Sequence, residues 1–444
     1  MKMRSGRWMG FLVAGLIGLS AGIGMSVHAD RSTDLLLPLE DIRSLAQVIE
    51  HIKKSYVEEV DDQNLIADAI DGMLSGLDPH SSYLKAEDFS TLKEDTEGKF
   101  GGLGIEVQMD DTGLVKVIAP IDDTPAARAG ILAGDRISAL DGVAVKGKTL
   151  NEAVDIMRGH PGDPIVLTVL RAGLDMPLKI TIVRDVIKVT SIKSELLESR
   201  VGYIRIRQFQ ERTGSDLVDA LNKLQNENNL DGLILDLRNN PGGVLGASVD
   251  VVDAFISSGL IVYTQGRVAD ADSKYYATSE NPSNDLNLVV LINGGSASAS
   301  EIVAGALQDH KRGIIMGTQS FGKGSVQTIL PLSADRAIKL TTARYYTPLG
   351  RSIQAEGIIP DIVVERAKLT KEAGADFYKE ADLQGHLANP AENPAPSSPK
   401  SALPADASEA EVEAAALPLS ERDYQLYEAL NLIKGLAIAD KLRR

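Results

Sequence analysis

The chain has 444 residues, 43% of them hydrophobic, enough for two or three domains with sizeable cores, which excludes disorder throughout. Its formal charge of −16 makes nucleic acid and anionic membrane surfaces poor partners. The absence of cysteine excludes a thiol nucleophile, a disulfide, a Cys-ligated zinc and a lipidated cysteine anchor, so covalent catalysis would have to use oxygen or nitrogen.

Residues 1–29 read as an export signal. Lys2, Arg4 and Arg7 precede an apolar run from Trp8 through Val27, and Val27-His28-Ala29 fits small-x-small cleavage before Asp30. Losing those three basic residues would take the formal charge from −16 to −19. An uncleaved anchor is the alternative, since the run is about as long as a bilayer span requires. Five glycines between Gly10 and Gly24 weaken a permanent helix there. Either reading puts the body of the protein outside the cytoplasm, and the expected compartment is the periplasm.

A helical pair follows within 30–96. Ile42, Leu45, Val48, Ile49, Ile52 and Tyr56 form one apolar stripe, and Leu65, Ile66, Ala69, Ile70 and Met73 another. Either a neighbouring domain or a second subunit would cover them. Residues 97–184 turn to short strands with glycine-rich turns: 104–107, 114–118, then 136–140 before Asp141-Gly142. A helix over 151–158 and a strand over 165–170 complete one small domain. From 185 to 366 the strands become continuous apolar runs, at 232–237, 288–292 and 313–316, separated by helices. That pattern means a sheet buried on both faces, hence an α/β domain.

Residues 367–418 read as a linker, rich in Ala, Pro, Ser and Glu from about 388 on. Over 419–444, Ser420 reads as a helix N-cap with Asp423 three residues on. Leu426, Leu430, Ile433 and Ala437 then form a stripe expected to serve oligomerisation or adaptor docking.

Three segments carry candidate chemistry. The strand 288–292 runs into Asn293-Gly-Gly-Ser-Ala-Ser-Ala-Ser-Glu301 and then a helical pattern, which displays a serine beside a helix N-terminus. Residue chemistry alone does not choose among Ser296, Ser298 and Ser300, and plain helix capping is the bland alternative. In Gly322-Lys-Gly-Ser-Val-Gln327, an extended backbone would align Lys323, Ser325 and Gln327 on one face. A lysine acts as general base only when neutral, which burial favours, and a neighbouring amide can aim it without adding charge. In Asp236-Leu-Arg-Asn-Asn-Pro-Gly-Gly243, a Gly-Gly turn can point backbone N–H groups at one spot, as an oxyanion hole needs, or can be a plain turn.

Rival motifs are weaker. Gly317 to Lys323 begins like a phosphate-binding loop, but Gly324 stands where that loop needs Ser or Thr. His51, His80, His160, His310 and His386 are scattered, and neither a Gly-x-Ser-x-Gly elbow nor a metal-ligand spacing occurs. No cofactor or metal is expected.

With these residues in place, the chain resembles the C-terminal processing peptidases, the tail-specific serine proteases of the S41 group. The resemblance covers about residues 40 to 366. It rests on Leu77-Asp-Pro-His-Ser-Ser-Tyr-Leu84, Gly101-Gly-Leu-Gly-Ile105, Leu235-Asp-Leu-Arg-Asn-Asn-Pro-Gly-Gly243, Ser296-Ala-Ser-Ala-Ser-Glu-Ile302, Gly322-Lys-Gly-Ser-Val-Gln327 and Gly350-Arg-Ser-Ile-Gln354, in that order. It implies an α/β protease core with an inserted, mostly β PDZ domain and flanking helical segments. It further implies Ser298 as nucleophile, Lys323 as base 25 residues on, Gln327 as the residue orienting it, and the Gly243 and Ala299 amides as oxyanion donors. Gly102, Leu103, Gly104 and Ile105 would form the PDZ loop that receives a substrate's C-terminal carboxylate. Arg158 is placed to regulate through a contact with the protease domain, or simply to complement a helix C-terminus. Expected partners are proteins with accessible C-termini, further copies of the chain and an activating adaptor. A noncatalytic PDZ scaffold is the rival from another class.

Overall fold

The computed structural model describes residues 38–367 and 418–443, apart from 122, 175, 279–281 and 284–285. The expected leader and most of the expected linker lie outside these residues. Among the described residues no helix is long and apolar enough to cross a membrane.

The chain divides into two units, Met1–Gly72 and Met73–Arg444. The first holds helix Leu39–Ser55, with Glu40 and Asp41 in its first turn and Lys53 and Lys54 in its last, the charge order that suits a helix dipole. Lys53 pairs with Asp62 at 2.8 Å, at the start of helix Asp62–Ser75. Ile42, Leu45, Val48 and Tyr56 on the apolar stripe are exposed.

The PDZ-like part is a sheet in the order 105–109, 115–120, 136–140, 164–170, 178–183, every pairing antiparallel. Alternation along each strand turns Val115, Val117, Ile137, Ile165, Leu167 and Val169 inward onto helix Leu150–Met157. That helix starts in a capping box between Thr149 and Glu152. Strand Ile105–Met109 lies at one edge of the sheet. A two-stranded ribbon, Lys99–Gly102 with Asp185–Lys188, marks both the entry to this part and the exit from it.

The α/β part carries a six-stranded sheet in the order 192–197, 201–206, 232–236, 288–292, 314–317, 362–363. All neighbours run parallel except the first pair. Alternate residues of each strand go to opposite cores. Leu233, Leu235, Val290 and Ile292 pack with helices Thr213–Glu227, Leu245–Asp253 and Ala299–Asp309. Ile234, Val289 and Leu291 pack against Leu426, Ala429, Leu430 and Ile433 of the C-terminal helix Tyr424–Arg443. A second sheet is centred on strand Ala337–Tyr346, which pairs with Ser325–Pro331, Ser82–Leu84 and Leu260–Gly266.

The C-terminal helix differs from the sequence reading in two ways. Ser420 lies inside a short separate turn, Leu419–Arg422, and Asp423 caps the long helix by accepting from the Leu426 N–H at 3.0 Å. The stripe assigned to oligomerisation or adaptor docking is buried in the chain's own core instead. A sheet apolar on both faces needs two covers, and this helix is the second. Arg238 fastens it, with hydrogen bonds to both Asp236 oxygens at 3.0 and 2.7 Å, both Asp423 oxygens at 2.8 Å and Gln425 at 3.1 Å.

Candidate active site

Three adjacent parallel strands, 232–236, 288–292 and 314–317, end at the same edge of the sheet, where α/β proteins place their ligands. The first leads to Pro241-Gly242-Gly243, the second to Ser298 and the third to Lys323. All three loops meet in a pocket of about 430 Å³ lined by Gly243, Ser298, Ala299, Lys323, Gln327 and Tyr345, among others.

Ser298 sits at φ +56°, a conformation L residues seldom adopt, immediately before helix Ala299–Asp309. Its neighbours in the serine triplet are fully buried and engaged. Ser296 donates to the Leu237 carbonyl at 2.8 Å and Ser300 to the Asn240 carbonyl at 3.0 Å. Burial therefore separates Ser298 from Ser296 and Ser300, which residue chemistry alone did not do. The Gly242 backbone lies against it: a Cβ at Gly242, itself at φ +102°, would come within 2.8 Å of the Ser298 Cβ. Among the described residues, the N–H groups of Gly243 and Ala299 donate to no protein acceptor, and both residues line the pocket.

Lys323 is half-buried, and its ammonium has no hydrogen-bond or ion-pair partner among the described residues. Burial lowers its pKa below the ordinary lysine value and the positive charge of Lys339 adds to this, against the opposing charges of Asp78 and Glu301. The expected common face is realised only in part. Lys323 precedes strand Ser325–Pro331, and a register shift falls between Val326 and Gln327. The Gln327 amide donates to Ser325 at 3.0 Å and Thr341 at 3.3 Å, and not to Lys323. The phosphate-loop alternative fails because a strand, not a helix N-terminus, follows Lys323.

Several supporting residues escaped the sequence reading. Glu301 is fully buried, and its carboxylate accepts from the Ser298 N–H at 2.8 Å, Lys323 N–H at 2.9 Å, Gly322 N–H at 2.7 Å and Ser320 hydroxyl at 2.6 Å. It thus ties the serine and lysine loops together. Burial raises its pKa, while those four donors hold it down. Its spacing of three from Ser298 is the capping-box interval, the one local signal that would have found it. Buried Tyr345 donates to the Lys323 carbonyl. Asp78 holds its turn through His80, Ser81 and Thr341. Neither Tyr345 nor Thr341 carries a local signal, because strand pairing brings them to the site.

At the PDZ-like end, Leu103 is buried in that part's core. Gly104 takes φ +76°, its carbonyl accepting from Ile121 and Thr124. The loop 102–105 leads straight into edge strand Ile105–Met109. Arg158 lies 3.5 Å from Glu94 and 4.9 Å from the centre of the Phe100 ring. Glu94 belongs to helix Ala86–Glu97, whose Leu92, Asp95 and Thr96 line the Ser298 pocket.

The chain matches known protein families in three places. Residues 200–364 match the model of peptidase family S41, 116–171 that of a PDZ domain, and 23–88 that of the activating protease CtpB N-terminal domain. A carboxy-terminal-processing protease of Bartonella bacilliformis is 47% identical over 96% of this chain and 95% of its own. The chain belongs to the carboxy-terminal-processing proteases of peptidase family S41. A carboxyl-terminal-processing protease of Synechocystis is 38% identical over 71% of this chain and 76% of its own. The solved photosystem II D1 C-terminal processing protease is 30% identical over 72% of this chain and 92% of its own, with a TM-score of 0.43. This S41 peptidase is therefore a serine protease acting on proteins, built as an α/β core with a PDZ domain and flanking helices.

Proposed function

We propose that this S41 peptidase is a periplasmic endopeptidase that cleaves proteins near their C-termini, with Ser298 as nucleophile and Lys323 as general base. The observation that carries the reading is the convergence, in one pocket, of a strained serine, an unpaired half-buried lysine and two unengaged backbone N–H groups. Ser298 Oγ attacks the scissile carbonyl and passes its proton to Lys323 Nζ, while the Gly243 and Ala299 N–H groups stabilise the oxyanion. As the C–N bond breaks, Lys323 gives that proton to the departing amine. A water deprotonated by Lys323 then cleaves the ester and restores Ser298. Gln327 acts as a neutral neighbour of the lysine with a smaller share than Lys323, a reading supported by its bonds to Ser325 and Thr341.

The PDZ domain, within 97–184, takes the substrate tail as an added strand on Ile105–Met109, its carboxylate at the 102–105 loop. Arg158, touching the helix that lines the Ser298 pocket, couples tail binding to the active site. The exposed stripe of the N-terminal helices suits a second copy of the chain.

The test is degradation of a loosely folded reporter with an apolar tail by the mature chain, beside Ser298→Ala and Lys323→Ala. The expected result is cleavage by wild type alone, with Gln327→Ala intermediate and EDTA without effect. Cleavage by Ser298→Ala would overturn the mechanism. A wild type that never reacts with a serine-directed probe would favour the scaffold reading.

A further inference from the structure

The pocket of Ser298 and Lys323 holds a second amine, Lys339, which the proposed mechanism does not use. Lys339 lies on strand Ala337–Tyr346, opposite Ile329 on one side and Ser82 on the other. Alternation puts Lys339 and Thr341 on one face of this strand, before the register shift opposite Val326 and Gln327 interrupts it. Thr341 bonds Gln327 at 3.3 Å and Gln327 lines the pocket, so that face looks into the site. Like Lys323, Lys339 is half-buried and has no hydrogen-bond or ion-pair partner among the described residues.

The acids in reach are already engaged. Asp78 accepts from the backbone of His80 and Ser81 and from the hydroxyls of Ser81 and Thr341. Glu301 is saturated by its four donors. Asp95, which also lines the pocket, is exposed to water. Two ammonium groups thus share one partly dehydrated pocket with no counter-ion bound to either, an arrangement that favours neutrality of one of them.

We propose that Lys339 is a positioning residue for catalysis, whose charge keeps Lys323 unprotonated by repulsion within the same pocket. The inference rests on the proposed role of Lys323. The charged neighbours of Lys323 give the reason for a second amine. Asp78 and Glu301 hold the local backbone in place, yet their charges favour the protonated lysine, and Lys339 offsets them after burial has made the larger contribution. His80, in the Asp78 turn, has its pKa lowered by burial first and then by Lys323 and Lys339, against Asp78.

The experiment is the pH dependence of kcat/KM on a short quenched peptide for wild type, Lys339→Met, Lys339→Gln and Lys339→Arg. The peptide is offered with a free and with an amidated C-terminus, and folding of each variant is checked by circular dichroism. Loss of the like charge moves the acidic limb of the profile to higher pH, by about one unit. Lys339→Met and Lys339→Gln are expected to lose about tenfold at pH below the limb and to regain most of it on the plateau, while Lys339→Arg stays near wild type. Equal loss at every pH, loss confined to the free-carboxylate peptide, or no change would each overturn the proposal. Lys323→Ala, run alongside, should be inactive at all pH; if it cleaves, the serine–lysine reading fails instead. Should Lys339→Met not fold, the glutamine variant decides.

Discussion

Glu301 has no access to water, yet four donors converge on its two oxygens, so its charge is held by the same loops it organises. In Glu301→Gln, amide hydrogens face N–H groups, and the Ser298 and Lys323 loops lose their common anchor. We expect kcat to fall on the order of 10²-fold with KM little changed, as steady-state kinetics would show. Lys323 presents the opposite case, a charge made costly. Its folded pKa lies below the unfolded value, so the unfolded chain binds the extra proton, and stability at this site rises with pH from the folded value up to the ordinary lysine range. Lys323→Met is expected to abolish cleavage while raising Tm by roughly 1–3 °C at neutral pH, a gain that shrinks as pH approaches the ordinary lysine value. Calorimetry across pH checks both the sign and the window.

The C-terminal helix is an element whose stripe of Leu426, Leu430, Ile433 and Ala437 stands in the sequence but whose partner does not. Its stripe covers Ile234, Val289 and Leu291 on the sheet face that the other three helices leave bare. Ile433 is fully buried there, so Ile433→Ala is expected to cost about 2–5 kcal/mol in denaturant unfolding, with kcat per folded molecule unchanged. Arg238 lies on the loop that continues to Gly243 while clasping Asp236 and Asp423. Arg238→Ala strands two carboxylates and is expected to cost about 3–5 kcal/mol and, unlike Ile433→Ala, to lower kcat as well. That difference would separate docking of the helix from support of the loop.

For the whole molecule, the PDZ domain and the Ser298 pocket occupy different parts of one chain, joined by the ribbon Lys99–Gly102 with Asp185–Lys188 and by the Arg158–Glu94 contact. Long substrates ending in a free carboxylate are expected to be cut at least about tenfold faster than amidated ones, a preference that Arg158→Ala should weaken without altering Ser298 labelling in an isolated small-probe reaction. Competition between the two tails, followed by mass spectrometry, measures it.

The fold class and a serine-bearing strand-to-helix turn were legible because both are written in local pattern. Continuous apolar runs mean a two-sided sheet, alternation and Asp141-Gly142 mean a small β domain, and a strand running through Gly-Gly-Ser into a helix displays a hydroxyl. Burial of Ser296 and Ser300, the reach of Glu301 across to Lys323, and the approach of Tyr345, Thr341 and Lys339 were decided only by tertiary structure. These depend on which strand pairs with which, across separations that no local period records. The capping of the last helix by Asp423 rather than Ser420, and its burial on its own sheet, have the same cause. A helix stripe states that something must cover it, while the sheet's uncovered face, far away in the chain, settles what does.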